Sequence, residues 1–275
     1  MKNTIDEKVL NFYKVMPFNI YGNITNACDN IRENPLEKTY PFLHNLILNS
    51  KNILDVGCGG GWLVNNLSYH YNDKNVLGID YNPEALKFAK NVSKQLGNSN
   101  KFEEVSLFDF DPQKKFDLVI SIGVLHHTHD CLKALDKTCN FLNEKSNICI
   151  GLYHKYGRKP FLDFVKELTN LDEDKKFEKY KEIHKLNDQM HLKSWFRDQV
   201  LHPHETQHTL SEIIDIFELN KIKFTGTSIN HFYKFDELKD IFKKEKELYN
   251  YGKNKIDNKV YYPGFFIVTG EKSEV

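Results

Sequence analysis

From about Lys51 the chain alternates two apolar patterns. Asn52–Val56, Asn75–Ile79 and Phe116–Ile122 are short apolar runs without period-two alternation, as expected of strands buried on both faces. Lys101–Leu107 is a weaker run of the same kind, and Ile148–Tyr153 is another strand. Between these runs, Trp62–His70, Pro83–Leu96 and Cys131–Leu142 read as helices. In the second of them Ala85, Leu86, Phe88, Ala89 and Val92 form one apolar face of 3.6-residue period. Alternation of this kind predicts an α/β fold, a mostly parallel sheet with helices on both faces.

The alternation breaks after Tyr153. Residues 155–208 are rich in Lys, Glu and Asp but carry Phe161, Phe164, Phe177, Trp195 and Phe196, so they read as a helical insertion with its own small core. Thr209-x-x-Glu212 then matches a capping box and opens an amphipathic helix through Phe217. Ile222–Ser228 is strand-like, Phe235–Tyr251 a charged helix, and Tyr261–Thr269 a closing β-rich run. Four units follow: 1–50, 51–153, 154–208 and 209–275. They are an N-terminal cap, a core, an inserted lid after the fifth strand, and a return to the core sheet. The first unit carries Phe12, Tyr13, Phe18, Tyr21, Tyr40 and Phe42. It suits either a cap over the mouth of the sheet or a helical arm packed elsewhere.

Composition narrows the function classes. Lys+Arg and Asp+Glu both total 38, so the formal net charge is zero. A general nucleic-acid binder usually shows a basic excess. No stretch reaches the ~18 consecutive apolar residues of a membrane helix. The polar N-terminus lacks the build of a secretory signal, which makes the cytoplasm the expected compartment. Cys28, Cys58, Cys131, Cys139 and Cys149 are scattered and odd in number, as expected of free thiols.

The sharpest chemical signal is Ile53-Leu54-Asp55-Val56-Gly57-Cys58-Gly59-Gly60-Gly61, a buried strand running into a glycine turn and then a helix. A dinucleotide fingerprint needs Gly or Ala at position 62, where this chain has Trp62. Asp55 at the strand end suits a cationic ligand better than a diphosphate. Together these features disfavour a nicotinamide dehydrogenase. Asp80 ends the second strand, where a carboxylate accepts hydrogen bonds from two ribose hydroxyls, and Tyr81 follows as a surface for an adenine ring.

These runs, with Gly78-Ile79-Asp80 and Phe116-Asp117-Leu118-Val119, are similar to the motifs of class I S-adenosylmethionine-dependent methyltransferases, over roughly residues 51–153. The resemblance implies a Rossmann-like fold with S-adenosylmethionine as cofactor. It implies that the turn of Gly57, Gly59 and Gly61, with Asp55, cradles the amino acid part, and that Asp80 and Tyr81 hold the nucleoside. Ser106 and Leu107 stand where Asp-Leu is usual beside the adenine, with Asp109 three residues on. Ser121 on the fourth strand completes the cofactor set. A narrower resemblance, to a bacterial subgroup of methyltransferases known mainly from sequence, rests on Phe12-Tyr13, Gly123 to Thr128, Gly151 to Arg158, Trp195-Phe196-x-Asp198-Gln199 and His202-Pro203-His204-Glu205.

Ligands of an open α/β sheet bind beyond the carboxyl ends of the strands. Polar clusters fall there at residues 126–130, 153–158 and 202–208. His127 or His204 is the expected general base, since histidine takes protons near neutral pH. Tyr13, His126, Tyr153, Arg158 and His202 are expected at the acceptor, with Arg158 and Lys155 suited to an anionic group. A metal is not expected. The alternative is that His202, His204 and His208, with Glu205 or His127, hold Zn, Fe or Mn. The leading expectation is methyl transfer to oxygen or nitrogen of a small molecule, with no membrane or nucleic-acid partner and the oligomeric state open. The alternatives are an RNA or protein methyltransferase, or a protein using the cofactor for non-methyl chemistry.

Overall fold

The computed structural model describes residues 4–19 and 22–274; Tyr21 lies outside them. The chain opens with helices α1 (Thr4–Val15), α2 (Ile24–Glu33), α3 (Leu36–Thr39) and α4 (Leu43–Leu48). The core follows as β1 (Asn52–Val56), α5 (Trp62–His70), β2 (Asn75–Asp80), α6 (Pro83–Leu96), β3 (Lys101–Glu104), β4 (Phe116–Ile122), α7 (Cys131–Cys139) and β5 (Leu142–Tyr153). Next come α8 (Lys155–Glu167), α9 (Glu173–Ile183) and α10 (Gln189–Val200). The chain closes with α11 (Leu210–Leu219), β6 (Ile222–Thr227), α12 (Leu238–Asp257) and β7 (Phe265–Lys272).

The seven strands form one sheet in the order β3-β2-β1-β4-β5-β7-β6. The first five pair in parallel, while β7 runs antiparallel between β5 and β6. Strand order reverses at β1 and β4, which opens a crevice at their carboxyl ends. One face buries Val56, Val119 and Ile150 against Leu135 of α7 and Phe217 of α11. The other buries Ile53, Leu118 and Cys149 against Leu43 of α4 and Leu67 of α5. The insertion has its own core of Phe161, Tyr180, Leu192 and Phe196. All five cysteines are free and buried.

Several elements differ from the sequence pattern. β3 ends at Glu104, not Leu107; after it Ser106 accepts backbone bonds from Asp109 and Phe110, which turns the chain over the sheet end. α7 stops at Cys139, and Leu142 already pairs with Phe116 in β5. The register then shifts, so that Leu118 pairs with Asn147. α12 spans Leu238–Asp257 and is not broken by Gly252, although glycine weakens a helix interior. The reason is proximity: a Cβ at Gly252 would lie 2.8 Å from the Tyr262 ring and 3.2 Å from the Gly157 carbonyl. β7 begins at Phe265, because Tyr261 stacks on His184 at 3.9 Å between ring centres and Pro263 gives its carbonyl to Arg158. The capping box at Thr209 and Glu212 forms as the spacing predicts.

Candidate active site

A cavity of about 650 Å³ opens at the carboxyl ends of β1, β2, β4 and β5. Its floor is the glycine turn, and its roof is α1 with residues 17–19 and the last turns of α10. Two polar ties hold α1 there. The Asp6 carboxylate takes the backbone N–H of His129 at 2.9 Å and its Nδ1 at 2.6 Å. The Tyr13 hydroxyl donates to Asp198 of α10 at 2.5 Å. Of the rest of the N-terminal unit, α2 packs on α5 and α6 and α3 on α5, while Tyr40, just after α3, also lines the cavity.

The glycine turn needs its glycines. Gly57 has φ +76°, and a Cβ there would come within 2.3 Å of Val124. Gly61 caps α5 in the left-handed region at φ +75°, and its Cβ would fall 2.5 Å from that of Ala89 in α6. Gly57 and Gly59 line the cavity; Gly61 lies outside the lining and serves the helix contact.

Two carboxylates face this floor. Asp80 accepts from the Gly59 and Asn82 backbone N–H groups, both at 2.8 Å. Burial raises its pKa despite those bonds. Asp55 is buried deeper, and burial, followed by repulsion from Asp80, pushes it up to about 8. Tyr81, Ser106, Leu107 and Asp109 line the same end. Ser121, expected beside them, lies outside the lining: its hydroxyl is fully buried and donates to the Val56 carbonyl at 3.0 Å, tying β4 to β1.

At the other end sits His127, in a short 3-10 turn after β4. Its Nδ1 lies 2.9 Å from the His204 carbonyl, which can only accept, so Nδ1 carries the proton. That leaves a lone pair on Nε2. This atom is buried without a partner, 3.9 Å from Asp198 Oδ1, on a ring that lines the cavity. Burial lowers the His127 pKa to about 3. Asp198 accepts from Tyr13, from Gln199 Nε2 at 2.6 Å and from the Tyr153 hydroxyl at 3.3 Å. Burial raises its pKa.

The remaining expected residues stand behind this wall. His204 donates from Nε2 to the Thr128 carbonyl at 3.1 Å, so it positions the loop of His127 and does not line the cavity. His126 packs against Tyr153, ring centres 4.0 Å apart and planes tilted by 37°, with both ring nitrogens buried and unpartnered, also outside the lining. Arg158 was expected to meet an anionic group. It is instead fully buried in the first turns of α8, with Nη2 2.7 Å from Glu205 and its guanidinium 3.8 Å over the Tyr153 ring. A buried guanidinium needs its counter-ion from the protein, and Glu205 fills that role.

The alternative metal set of His202, His204 and His208 does not come together among the described residues. His208 meets Thr206 through Nε2, and His204 is tied to Thr128. Among the described residues one other group, His127, Asp198 and His202, brings ligand atoms within 4.8 Å of one another. The His202 Nδ1 accepts the His204 backbone N–H at 3.1 Å, so its Nε2 carries the proton and neither nitrogen offers a free lone pair. Asp198 and Gln199 were not anticipated as site residues. The available signal was an adjacent acid and amide on a helix whose neighbours Trp195 and Phe196 are core-forming.

Residues 47–216 match the model of a family described as methyltransferase domain. N-methyltransferase 4 of Papaver somniferum is 26% identical over 139 residues, 49% of this chain and 37% of that relative. This chain spans less than half the length of the first curated relatives it matches. PKMT2 from Rickettsia typhi in complex with AdoHcy superposes with a TM-score of 0.62 at 16% identity, over 86% of this chain and 53% of that one. The plantazolicin methyltransferase BpumL, in complex with a triazolic desmethylPZN analog and SAH, gives 0.54 at 16% identity over 100% of both chains. Among the described residues no helix is long and apolar enough to cross a membrane.

Proposed function

This chain belongs to the class I S-adenosylmethionine-dependent methyltransferase family, and from that premise we propose that it moves a methyl group to oxygen or nitrogen of a small molecule, with His127 as general base. The observation that carries this is the orphaned Nε2 of His127. A buried lone pair without a partner costs about 1–3 kcal/mol, and a nucleophile's O–H or N–H entering the cavity would satisfy it.

Asp80 and Tyr81 would hold the nucleoside of the cofactor, and the glycine turn with Asp55 would receive its amino acid end. Ser106 and Leu107, which line the same end, would stand beside the adenine. The nucleophile's lone pair then forms a bond to the methyl carbon as the carbon–sulfur bond breaks. The electron pair stays on sulfur, giving S-adenosylhomocysteine, and the nucleophile's proton passes to His127 Nε2. Asp198, 3.9 Å away, favours the imidazolium so formed. Residues 4–19 act as a cap and 154–208 as a lid that exclude water from this step. A cavity of about 650 Å³ has room for the cofactor with a small acceptor.

The test is incubation with methyl-labelled S-adenosylmethionine and a size-fractionated extract of the host, with Asp80→Ala as control. Label in the small-molecule fraction, lost in the control, supports the proposal. Label confined to RNA or protein would replace it with the macromolecular alternative.

A further inference from the structure

The acceptor end of the cavity has an unbalanced charge. Six acidic side chains line the whole space, from Asp6, Glu7, Asp55, Asp80, Asp109 and Asp198, of which Asp55, held at about 8, keeps its proton at neutral pH, and among the described residues no Lys or Arg does. Asp6 is matched by His129, and Asp55 and Asp80 face the cofactor floor. Asp198 is different. It is buried among Tyr13, Tyr153, Gln199, His127 and His202. Burial holds both histidines neutral, with values lowered to about 3. Two guanidiniums lie near: Arg158 is paired with Glu205 and sits over the Tyr153 ring, and Arg197 sits over the Phe12 ring, and neither lines the cavity. Hydroxyl and amide donors soften the cost of a buried carboxylate without neutralising it. Tyr13, Tyr153, Trp195 and Phe18 line this part of the cavity, and aromatic rings attract cations.

We propose that the methyl acceptor is an organic amine, bound as its ammonium ion by Asp198 and the aromatic side chains around it, with His127 Nε2 beside the same nitrogen. This rests on the methyltransferase reading above and deepens it. The ammonium gives one proton to Nε2. The freed nitrogen lone pair then forms the bond to the methyl carbon while the carbon–sulfur pair stays on sulfur. The products are the N-methylated ammonium and S-adenosylhomocysteine, and His127 returns its proton to solvent as they leave. An acceptor carrying a carboxylate or phosphate near the reacting atom would meet Asp198, and among the described residues no Lys or Arg lines the cavity to receive it.

The experiment splits the small-molecule fraction of the host extract on a cation exchanger at pH 7 and offers each half with labelled cofactor. The expected result is at least ten-fold more label in products from the retained half. Label confined to the flow-through overturns the amine assignment and leaves methyl transfer standing; label in neither half, with cofactor bound, overturns both. Asp198→Asn is expected to raise KM for the retained acceptor at least ten-fold while the cofactor Kd, from equilibrium dialysis, stays unchanged. An unchanged KM overturns the role of Asp198. A probe on the unaltered protein guards against a folding defect: phenethylamine is expected to compete with the acceptor and phenylacetate is not, and the reverse order overturns the proposal.

Discussion

Asp55 and Asp80 lie close enough beneath the glycine turn to repel each other, and among the described residues no Lys or Arg lines the cavity with them. A carboxyl held near 8 in the folded state and near 3.8 when unfolded keeps a proton that the unfolded chain has lost. Its contribution to stability therefore declines as pH rises from about 4 through about 8. A cationic cofactor reverses the preference by favouring the carboxylate. Binding S-adenosylmethionine at pH 6.5 is expected to release a proton, read by calorimetry in buffers of different ionisation enthalpy, and Asp55→Asn is expected to abolish that release. His127 stays neutral across the physiological range because its value is lowered to about 3. The rate is thus expected to show no acid limb near pH 6.5 from this group. His127→Asn is expected to lower kcat by ~10²–10⁴-fold while leaving the cofactor Kd unchanged.

At the scale of elements, the insertion is locked to the core sheet by polar groups the site itself does not use. His154 caps α8 through Nδ1, and its Nε2 lies 2.9 Å from Glu245 of α12. The same Glu245 oxygen takes the first N–H of α11, from Leu210, at 2.6 Å. One buried carboxylate thus joins three helices that are far apart in sequence. Glu245→Ala is expected to destabilise the protein by about 2–4 kcal/mol, because it orphans two buried donors at once. Urea denaturation would measure this, and a loss below about 1 kcal/mol would mean that solvent reaches the gap.

For the molecule as a whole, balanced charge and an acidic cavity roofed by α1 favour ligand over polymer. A ligand that binds only the folded state stabilises it by RT ln(1 + [L]/Kd), about 2.7 kcal/mol at a hundred-fold excess over Kd. S-adenosylhomocysteine is therefore expected to raise the thermal midpoint by several degrees, and NAD at the same concentration is not. With a small-molecule acceptor, raising salt is expected to change activity little, because no run of phosphate contacts would be screened. A steep fall with salt would instead favour a nucleic-acid acceptor.

The sequence by itself determined the alternation of strands and helices, the glycine turn, the two acidic positions at the strand ends and the capping box. Each of these is a local demand of backbone conformation or periodic burial, legible within a few residues. Tertiary structure decided the rest. Tyr13 and Asp198 meet across 185 positions of chain, and no local pattern encodes such a pairing. Arg158 and Ser121 carry the residue types of a binding site, yet the packing of α8 on α10 and of β4 on β1 turned them inward. His204 and His127 were equal candidates by composition. What separates them is which ring nitrogen faces a carbonyl and which faces the cavity, a choice that exists only once the loops at residues 125–130 and 202–208 lie side by side.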